Sequence, residues 1–123
     1  MHIRSQNAPR FALPGLDVVG LAAPSRGARE TCAWRLTLAP GTVGTPHAVD
    51  REEIFVAVAG RAMATVGDRT FALESGDALV VPAERTFALA NPHAEPFEAI
   101  AVLPVGGRAR YGDQPSFSPP WTE

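Results

Sequence analysis

The feature that most constrains this chain is a succession of short β-rich runs separated by Gly, Pro, Asp and Asn. Helical periodicity is hard to find in them, whereas β-branched and aromatic residues bounded by turn residues are typical of strands. Short runs at this spacing predict an all-β sandwich or barrel. The predicted strands cover residues 18–23, 31–38, 53–59, 61–66, 69–73, 78–82, 85–90 and 97–103.

Alternation within the runs predicts which side chains are buried. In the run 31–38 every apolar side chain of the even set shares one face with Trp34, which indicates a strand with one buried face. The run 53–59 is different, because both of its faces are apolar and both must therefore be covered. Its predicted inner face holds Glu53 and Phe55. Its predicted outer face holds Ile54, Val56 and Val58.

The length of 123 residues predicts one domain. The net charge of −2 without a basic run gives no indication of a nucleic acid or an anionic membrane as partner. The first residues lack the apolar core of a signal peptide, and no apolar run reaches membrane-spanning length, so a cytoplasmic protein is expected. The single Cys32 lies in an apolar run and is expected to be a buried small hydrophobe.

Two segments share a recognisable spacing of glycine, proline and metal-ligand positions. The first consists of Gly41, His47, Val49, Glu53 and Gly60. The second consists of Gly76, Pro82, Glu84, Phe87 and Asn91. These segments resemble the two conserved motifs of the cupin superfamily in its small, single-domain form. The resemblance implies one antiparallel cupin β-barrel (a double-stranded β-helix or jelly roll) over residues 1–123, with an N-terminal arm at 1–17, the barrel at 18–103 and a Pro-rich tail at 104–123.

The departures from the family motifs bear on metal binding. Metal-binding cupins carry histidines where this chain has Val49 and Phe87, so only His47 and Glu53 keep a ligating side chain. Catalytic first-row metal sites generally use three protein ligands. We therefore expect no resident metal cofactor. The alternative is a divalent ion held weakly by His47 and Glu53, and with it a metal-dependent oxygenase with a non-standard site.

The inward-facing positions predict an apolar, aromatic-walled pocket for a small organic molecule. Arg85 has the parity of Phe87, so it is expected to point inward and to pair with a carboxylate or enolate, the alternative being a solvated residue at the rim. The predicted ligand-binding residues are Trp34, Val49, Phe55, Arg85, Phe87 and Leu89. The predicted buried core comprises Trp34, Leu36, Phe55, Val80, Phe87 and Leu89.

His47 and Glu53 admit three interpretations. They form a structural hydrogen-bonded pair, a weak metal site, or a catalytic pair in which the carboxylate raises the pKa of His47 and fixes its tautomer. The resemblance includes metal-free relatives such as sugar epimerases and polyketide cyclases, which favours a metal-independent cyclase or isomerase with His47 and Glu53 as catalytic residues. A non-catalytic module that binds or senses a small molecule remains open, although such a pair facing an apolar cavity is costly without a use.

The outer face of the run 53–59 predicts a homodimer. The resemblance supports this expectation, because small cupins commonly dimerise through one sheet with N-terminal residues crossing to the partner. The tail contains Phe117 and Trp121, and large aromatic side chains of this kind indicate a segment that packs against the rest of the molecule.

Overall fold

The computed structural model describes residues 1–123, which form eleven strands and three short 3₁₀ helices. No helix in it has both the length and the apolar character needed to cross a membrane. The helices span Ser5–Asn7, Pro24–Arg26 and Pro120–Thr122. The strands are β1 (Arg10–Leu13), β2 (Leu16–Ala22), β3 (Thr31–Leu38), β4 (Ala48–Val49), β5 (Glu53–Ala59), β6 (Arg61–Val66), β7 (Arg69–Glu74), β8 (Ala78–Val81), β9 (Phe87–Ala90), β10 (Phe97–Pro104) and β11 (Ala109–Arg110).

The strands form two opposed layers, and every pairing is antiparallel. One layer is a six-stranded sheet in the order β1-β2-β3-β10-β5-β8. The other is built from β7-β6-β9 and β11-β4, which are joined by backbone hydrogen bonds between His47 and Phe87. This arrangement confirms the predicted all-β, antiparallel jelly roll.

The core lies between the two layers and follows the predicted alternation on β3 and β5. The even residues of β3, including Trp34 and Leu36, are buried, and the odd ones are not. On β5, Glu53 and Phe55 are buried, whereas Val56 faces solvent. The inner and outer faces of both strands were therefore predicted correctly. On β3 the alternation of apolar and polar residues determines which face is buried, and on β5 the motif spacing places Glu53 on the inner face.

The prediction that Val80 is buried is wrong. Val80 is 52% exposed, whereas its neighbours Leu79 and Val81 are buried. Strand β8 pairs with β5 so that Leu79 lies opposite Phe55 and Val81 opposite Glu53. Residues directly opposite each other in an antiparallel pair share a face, so the odd residues of β8 face the core. Both sets in this run are apolar, so the sequence alone did not distinguish them.

Glycines take positive φ at both ends of β6, but only one of these connections is a hairpin. Gly67 and Asp68 connect β6 to β7 as a two-residue hairpin turn. Gly60 instead lies where the chain leaves β5 in the large sheet and enters β6 in the other layer. A Cβ atom at Gly60 would collide with the carbonyl oxygen of Pro96, so this crossing requires glycine.

Both ends of the chain fold onto the barrel. Strand β1 lies within the segment described above as an arm, and it pairs with β2 of the same chain. Phe117 and Trp121 of the tail pack against the core, and Cys32 is fully buried beneath the last 3₁₀ helix with its Sγ 3.5 Å from the carbonyl oxygen of Thr122. Burial raises the pKa of the Cys32 thiol, with a smaller opposing effect of the Arg26 charge.

Candidate active site

A cavity of about 390 Å³ opens between the two layers. Its wall is mostly apolar and contains both residues singled out as a catalytic pair, His47 and Glu53. The lining residues are Leu13, Pro14, Leu16, Val18, Trp34, Leu36, Leu38, Thr42, Val43, Gly44, Thr45, His47, Glu53, Phe55, Phe87, Leu89, Tyr111 and Trp121. A cavity of this size and composition is typical of a site for a small organic molecule.

His47 is held at the cavity wall by its backbone and by its ring. Its backbone exchanges two hydrogen bonds with Phe87, at 3.0 and 2.8 Å, and its imidazole lies 4.4 Å from the Phe87 ring centroid. Nδ1 lies 2.9 Å from the carbonyl oxygen of Thr45. Because a carbonyl can only accept, Nδ1 carries the proton and donates it, which leaves Nε2 as the nitrogen able to accept a proton.

The protonation state of His47 follows from these surroundings. Burial against Phe87 and the neighbouring Tyr111 ring, whose centroid lies 5.8 Å away, disfavours the imidazolium. It lowers the pKa of His47 below its ordinary value of 6.5, and the hydrogen bond to Thr45 opposes that shift only in part. At neutral pH the residue is therefore an uncharged imidazole.

Glu53 is the most unusual residue of the site. It begins β5 on the inner face, is only 5% exposed, and its Oε1 is buried without a hydrogen-bond partner. Removing the carboxylate from water without compensation raises the pKa of Glu53 from 4.5 to about 8. At neutral pH the group is therefore a carboxylic acid that can donate its proton.

His47 and Glu53 line the same cavity but do not form a hydrogen bond with each other. The expectation that the Glu53 carboxylate fixes the tautomer of His47 and raises its pKa is therefore wrong. The carbonyl of Thr45 fixes the tautomer, and burial moves the pKa of each residue toward its neutral form. What the two residues share is the cavity that both line, in which one is a neutral imidazole and the other a neutral carboxyl.

The structure brings most of the other predicted site residues to the cavity. Trp34, Phe55, Phe87 and Leu89 line it, whereas Val49 is buried in the core but does not contribute to the cavity wall. Of these, only Leu89 is half-buried rather than fully buried.

The prediction that Arg85 points inward is wrong. Arg85 is exposed, lies outside the cavity and precedes β9, which begins only at Phe87. Glu84, at the position of the family's usual glycine, has a φ of +67°. Glu84 belongs to a turn that Arg85 closes by donating its backbone N–H to the carbonyl oxygen of Pro82, so Arg85 is not part of the extended strand and parity counted back from Phe87 does not give its orientation.

Several cavity residues were not identified from the sequence. Leu13 comes from the β1–β2 hairpin, Val43 from the loop before β4, and Tyr111 and Trp121 from the tail. Trp121 packs against Trp34 with ring centroids 6.2 Å apart. The aromatic content of the tail predicted that it packs somewhere, but no pattern in the sequence indicated that it packs at the cavity.

The residues present do not fit the three-ligand metal centre of metal-binding cupins. Val49 and Phe87 place buried apolar side chains at two of the ligand positions. Nowhere in the chain do three His, Cys, Asp or Glu side chains come together as a possible ion site. A donor set of one imidazole and one carboxyl falls short of the three protein ligands that catalytic first-row metal sites generally use.

Comparisons with known proteins agree with the fold. The sequence profile of the family described as Cupin domain matches residues 34–103, which is more than half of the chain. No curated protein matches the sequence.

Solved structures with the same fold include the polyketide cyclase RemF from Streptomyces resistomycificus, with a TM-score of 0.77 and 14% identity over 87% of this chain and 80% of that one. A sugar phosphate isomerase of the cupin superfamily from Silicibacter pomeroyi has a TM-score of 0.75 and 15% identity, over 93% and 83% of the two chains. A predicted oxalate decarboxylase from Thermotoga maritima has a TM-score of 0.70 and 20% identity, over 85% and 98%. At these identities the structures share the fold, and the profile match establishes that the chain belongs to the cupin family.

Proposed function

We propose that this protein binds a small, largely apolar or aromatic organic molecule in its barrel and catalyses metal-independent acid/base chemistry of the isomerase or cyclase type. His47 is the general base and Glu53 the general acid. The observation that carries the proposal is the buried carboxyl of Glu53, which has no hydrogen-bond partner at Oε1 and lines the same cavity as a neutral imidazole.

The environment of Glu53 supports a role in proton donation. A buried polar atom without a partner is unfavourable for folding, and an apolar residue at this position would remove that cost. A carboxyl that stays protonated to a pH of about 8 is, in contrast, a useful general acid at neutral pH, because it holds a proton that it can give to a carbonyl or a leaving oxygen.

The environment of His47 supports the complementary role. Its Nδ1–H donates to Thr45, so the ring orientation and the tautomer are set before any ligand enters. The lowered pKa keeps Nε2 unprotonated at neutral pH and able to take a proton. Before any reaction His47 and Glu53 are both uncharged, so the same cavity contains a proton acceptor and a proton donor.

The names of similar structures are consistent with this class of reaction. They include a polyketide cyclase and a sugar phosphate isomerase, both of which share the fold with this chain. Each of these names refers to that protein alone. For this chain they favour the reaction class without identifying a substrate.

Catalysed exchange of carbon-bound protons tests the proposal. A small cyclic ketone such as 2-tetralone, dissolved in D₂O with the protein, should lose the NMR signals of the protons next to its carbonyl faster than in buffer. His47→Gln should abolish the acceleration and Glu53→Gln should reduce it by about 10²-fold or more, because each removes one partner of the proton transfer. The binding of the ketone should persist in both variants.

Matched controls lie elsewhere in the chain. His93→Gln removes a half-buried histidine outside the cavity, and Glu74→Gln removes an exposed carboxyl on β7. Both variants should exchange the ketone protons at the rate of the unmodified protein. Binding without acceleration in the unmodified protein would contradict the catalytic proposal and favour a module that binds or senses a small molecule.

A further inference from the structure

The cavity wall contains no cationic side chain. No Arg or Lys is among its lining residues, and its only two ionisable groups apart from Tyr111 are His47 and Glu53. Arg85, the cation expected from the sequence to meet an anionic ligand, is exposed and outside the cavity. The wall can therefore offer hydrogen bonds but no compensating positive charge.

This electrostatic character restricts the ligand. An anion that enters a largely apolar cavity loses its hydration and must be compensated by cations or by several hydrogen-bond donors. Phosphate and carboxylate groups are recognised in most proteins by Arg, Lys or helix N-termini, and none of these lines the cavity. A cation would find a single carboxyl in the wall, that of Glu53, whose deep burial disfavours its ionised form.

His47 and Glu53, the acid/base pair of the wall, indicate which functional group the ligand carries. Nε2 of His47 can accept a proton, and the carboxylic acid of Glu53 can donate one. A carbonyl with an acidic C–H bond beside it matches this pair. From the uncharged wall and the position of both groups in it, we propose that the ligand is an uncharged, enolisable ketone on an apolar or aromatic ring system. This assignment rests on the proposed function and specifies its substrate class.

The reaction step balances within the cavity. Glu53 transfers its proton to the carbonyl oxygen while Nε2 of His47 takes the proton from the neighbouring carbon, whose C–H electron pair becomes the C=C bond of the enol. The products are the neutral enol, a carboxylate and an imidazolium, so the net charge of the cavity remains zero. Return of the protons restores the ketone or an isomer, and no oxidant, reductant or added group is needed.

The mouth of the cavity supports an apolar ligand body. Leu13, Val43 and Tyr111 all line the cavity and are all exposed, with Val43 at 86%. Gly44 allows this loop to lie directly against β9, because a Cβ atom there would collide with the backbone of Leu89. Apolar side chains gathered at an opening can contact the rings of a bound molecule.

Three two-ring probes of similar size test the assignment by calorimetry at pH 7. These are 2-tetralone (an enolisable ketone), tetralin (the hydrocarbon) and 2-naphthoate (an anion). 2-Tetralone should bind at least about tenfold more tightly than 2-naphthoate, because only the anion loses hydration without compensation. It should also bind more tightly than tetralin, which makes no hydrogen bond. Leu89→Arg, which places a cation in the wall, should shift the preference toward 2-naphthoate.

Circular dichroism checks that the Leu89→Arg variant is folded. Equal or tighter binding of 2-naphthoate by the unmodified protein would overturn the assignment, and so would the absence of 2-tetralone binding up to about 1 mM. If Leu89→Arg does not fold, the three probes on the unmodified protein still decide. Selective binding without catalysed proton exchange would contradict the acid/base function and leave the ligand class standing. Catalysed exchange together with tight 2-naphthoate binding would contradict the ligand class and support the acid/base function.

Discussion

The two faces of strand β5 depart from the usual distribution of polar and apolar residues in opposite directions. The inner face begins with Glu53, a carboxyl that is 5% exposed and has no hydrogen-bond partner at Oε1. The outer face carries Val56 and Val58, which are 39% and 45% exposed. The same strand thus places a carboxyl group in the interior and two apolar side chains in contact with water.

Neither departure helps the isolated chain to fold. A buried polar group without a partner and a row of exposed β-branched residues are both features that a monomeric, purely structural barrel does not need. The carboxyl of Glu53 on the inner face borders a cavity, where a bound ligand can supply the missing hydrogen-bond partner. The outer one faces away from the chain, where only another molecule can cover it, because Phe117 and Trp121 of the tail pack on the core instead. One strand therefore carries a site on one face and an expected interface on the other.

The largest expected effect is on the pH dependence of stability, through Glu53→Gln. The pKa of Glu53 rises from 4.5 to about 8 on folding, so between these values the folded state holds a proton that the unfolded state has released. Stability contributed by this group is complete below pH 4.5 and is lost as the pH rises toward 8, at about 1.4 kcal/mol per pH unit and roughly 5 kcal/mol in all. Glu53→Gln should abolish this loss, as urea denaturation at several pH values would measure.

Between pH 6.5 and 8 the effect of Glu53 on stability can be measured separately from that of His47. Folding lowers the pKa of His47, so its effect has the opposite sign and appears only as the pH falls below 6.5, where the unfolded state gains the proton first. The unmodified protein should therefore lose stability with rising pH in this interval, and Glu52→Gln, at the exposed neighbour, is the control. A flat profile of the unmodified protein would show that Glu53 is ionised or paired in solution.

The second prediction compares the packing on the two faces. Phe55→Ala should lower the free energy of unfolding by roughly 3–5 kcal/mol, because Phe55 is buried and lies 5.6 Å from the Phe87 ring centroid. Val56→Ala, one residue away on the outer face, should lower it by less, roughly 1–2 kcal/mol per chain even where a second chain covers that face, because only two carbon atoms are removed. Urea denaturation of both variants at one protein concentration gives the comparison. Similar losses would mean that Phe55 borders solvent in the cavity rather than a close-packed core.

The third prediction concerns the outer face, which we expect to form a homodimer. Val56 lies opposite Ile100 and Ala78, and Val80 opposite Ile54, so exposed and half-buried apolar residues of three adjacent strands meet there. In an isologous interface one substitution acts on both chains, so Val56→Asp should produce monomeric or insoluble protein. Light scattering of the unmodified protein should give twice 13.0 kDa. A mass of 13.0 kDa at micromolar concentration would exclude the dimer and leave this face without an explanation.

The sequence predicted those parts of the fold in which local signals agree. The alternation on β3 and the glycine spacing both determine one register, so the burial of Trp34 and the inward position of Glu53 followed directly. On β8 both faces are apolar, and the register depends on the pairing with β5, a contact between distant parts of the chain. That dependence is why Val80 was assigned to the wrong face.

The candidate site was predictable where its residues belong to the two motifs or, as for Trp34, to the alternating strand β3. His47, Glu53 and Phe87 were identified, since motif spacing places them on inward faces. Arg85 was not placed correctly, because it closes a turn with Pro82 and lies before the start of β9, where strand parity does not apply. Tyr111 reaches the cavity through the folding of the tail over the barrel, for which the sequence contains no periodic signal.

The smallest expected effect is that of metal removal, and it tests whether the inner face of β5 acts through its own protons. With buried Val49 and Phe87 at two ligand positions, we expect no bound ion to contribute to the stability of the folded state, so a chelator should leave the melting temperature nearly unchanged. The double variant Val49→His with Phe87→His supplies two imidazoles beside His47 and Glu53 and should gain measurable affinity for a divalent ion. In that variant the ion would favour ionised Glu53, so added zinc should also weaken the loss of stability between pH 6.5 and 8.

A drop of many degrees on chelation of the unmodified protein, or near-stoichiometric metal in its elemental analysis, would show that His47 and Glu53 hold an ion despite the missing ligands. The neutral carboxyl, and with it the acid/base assignment, would then be wrong.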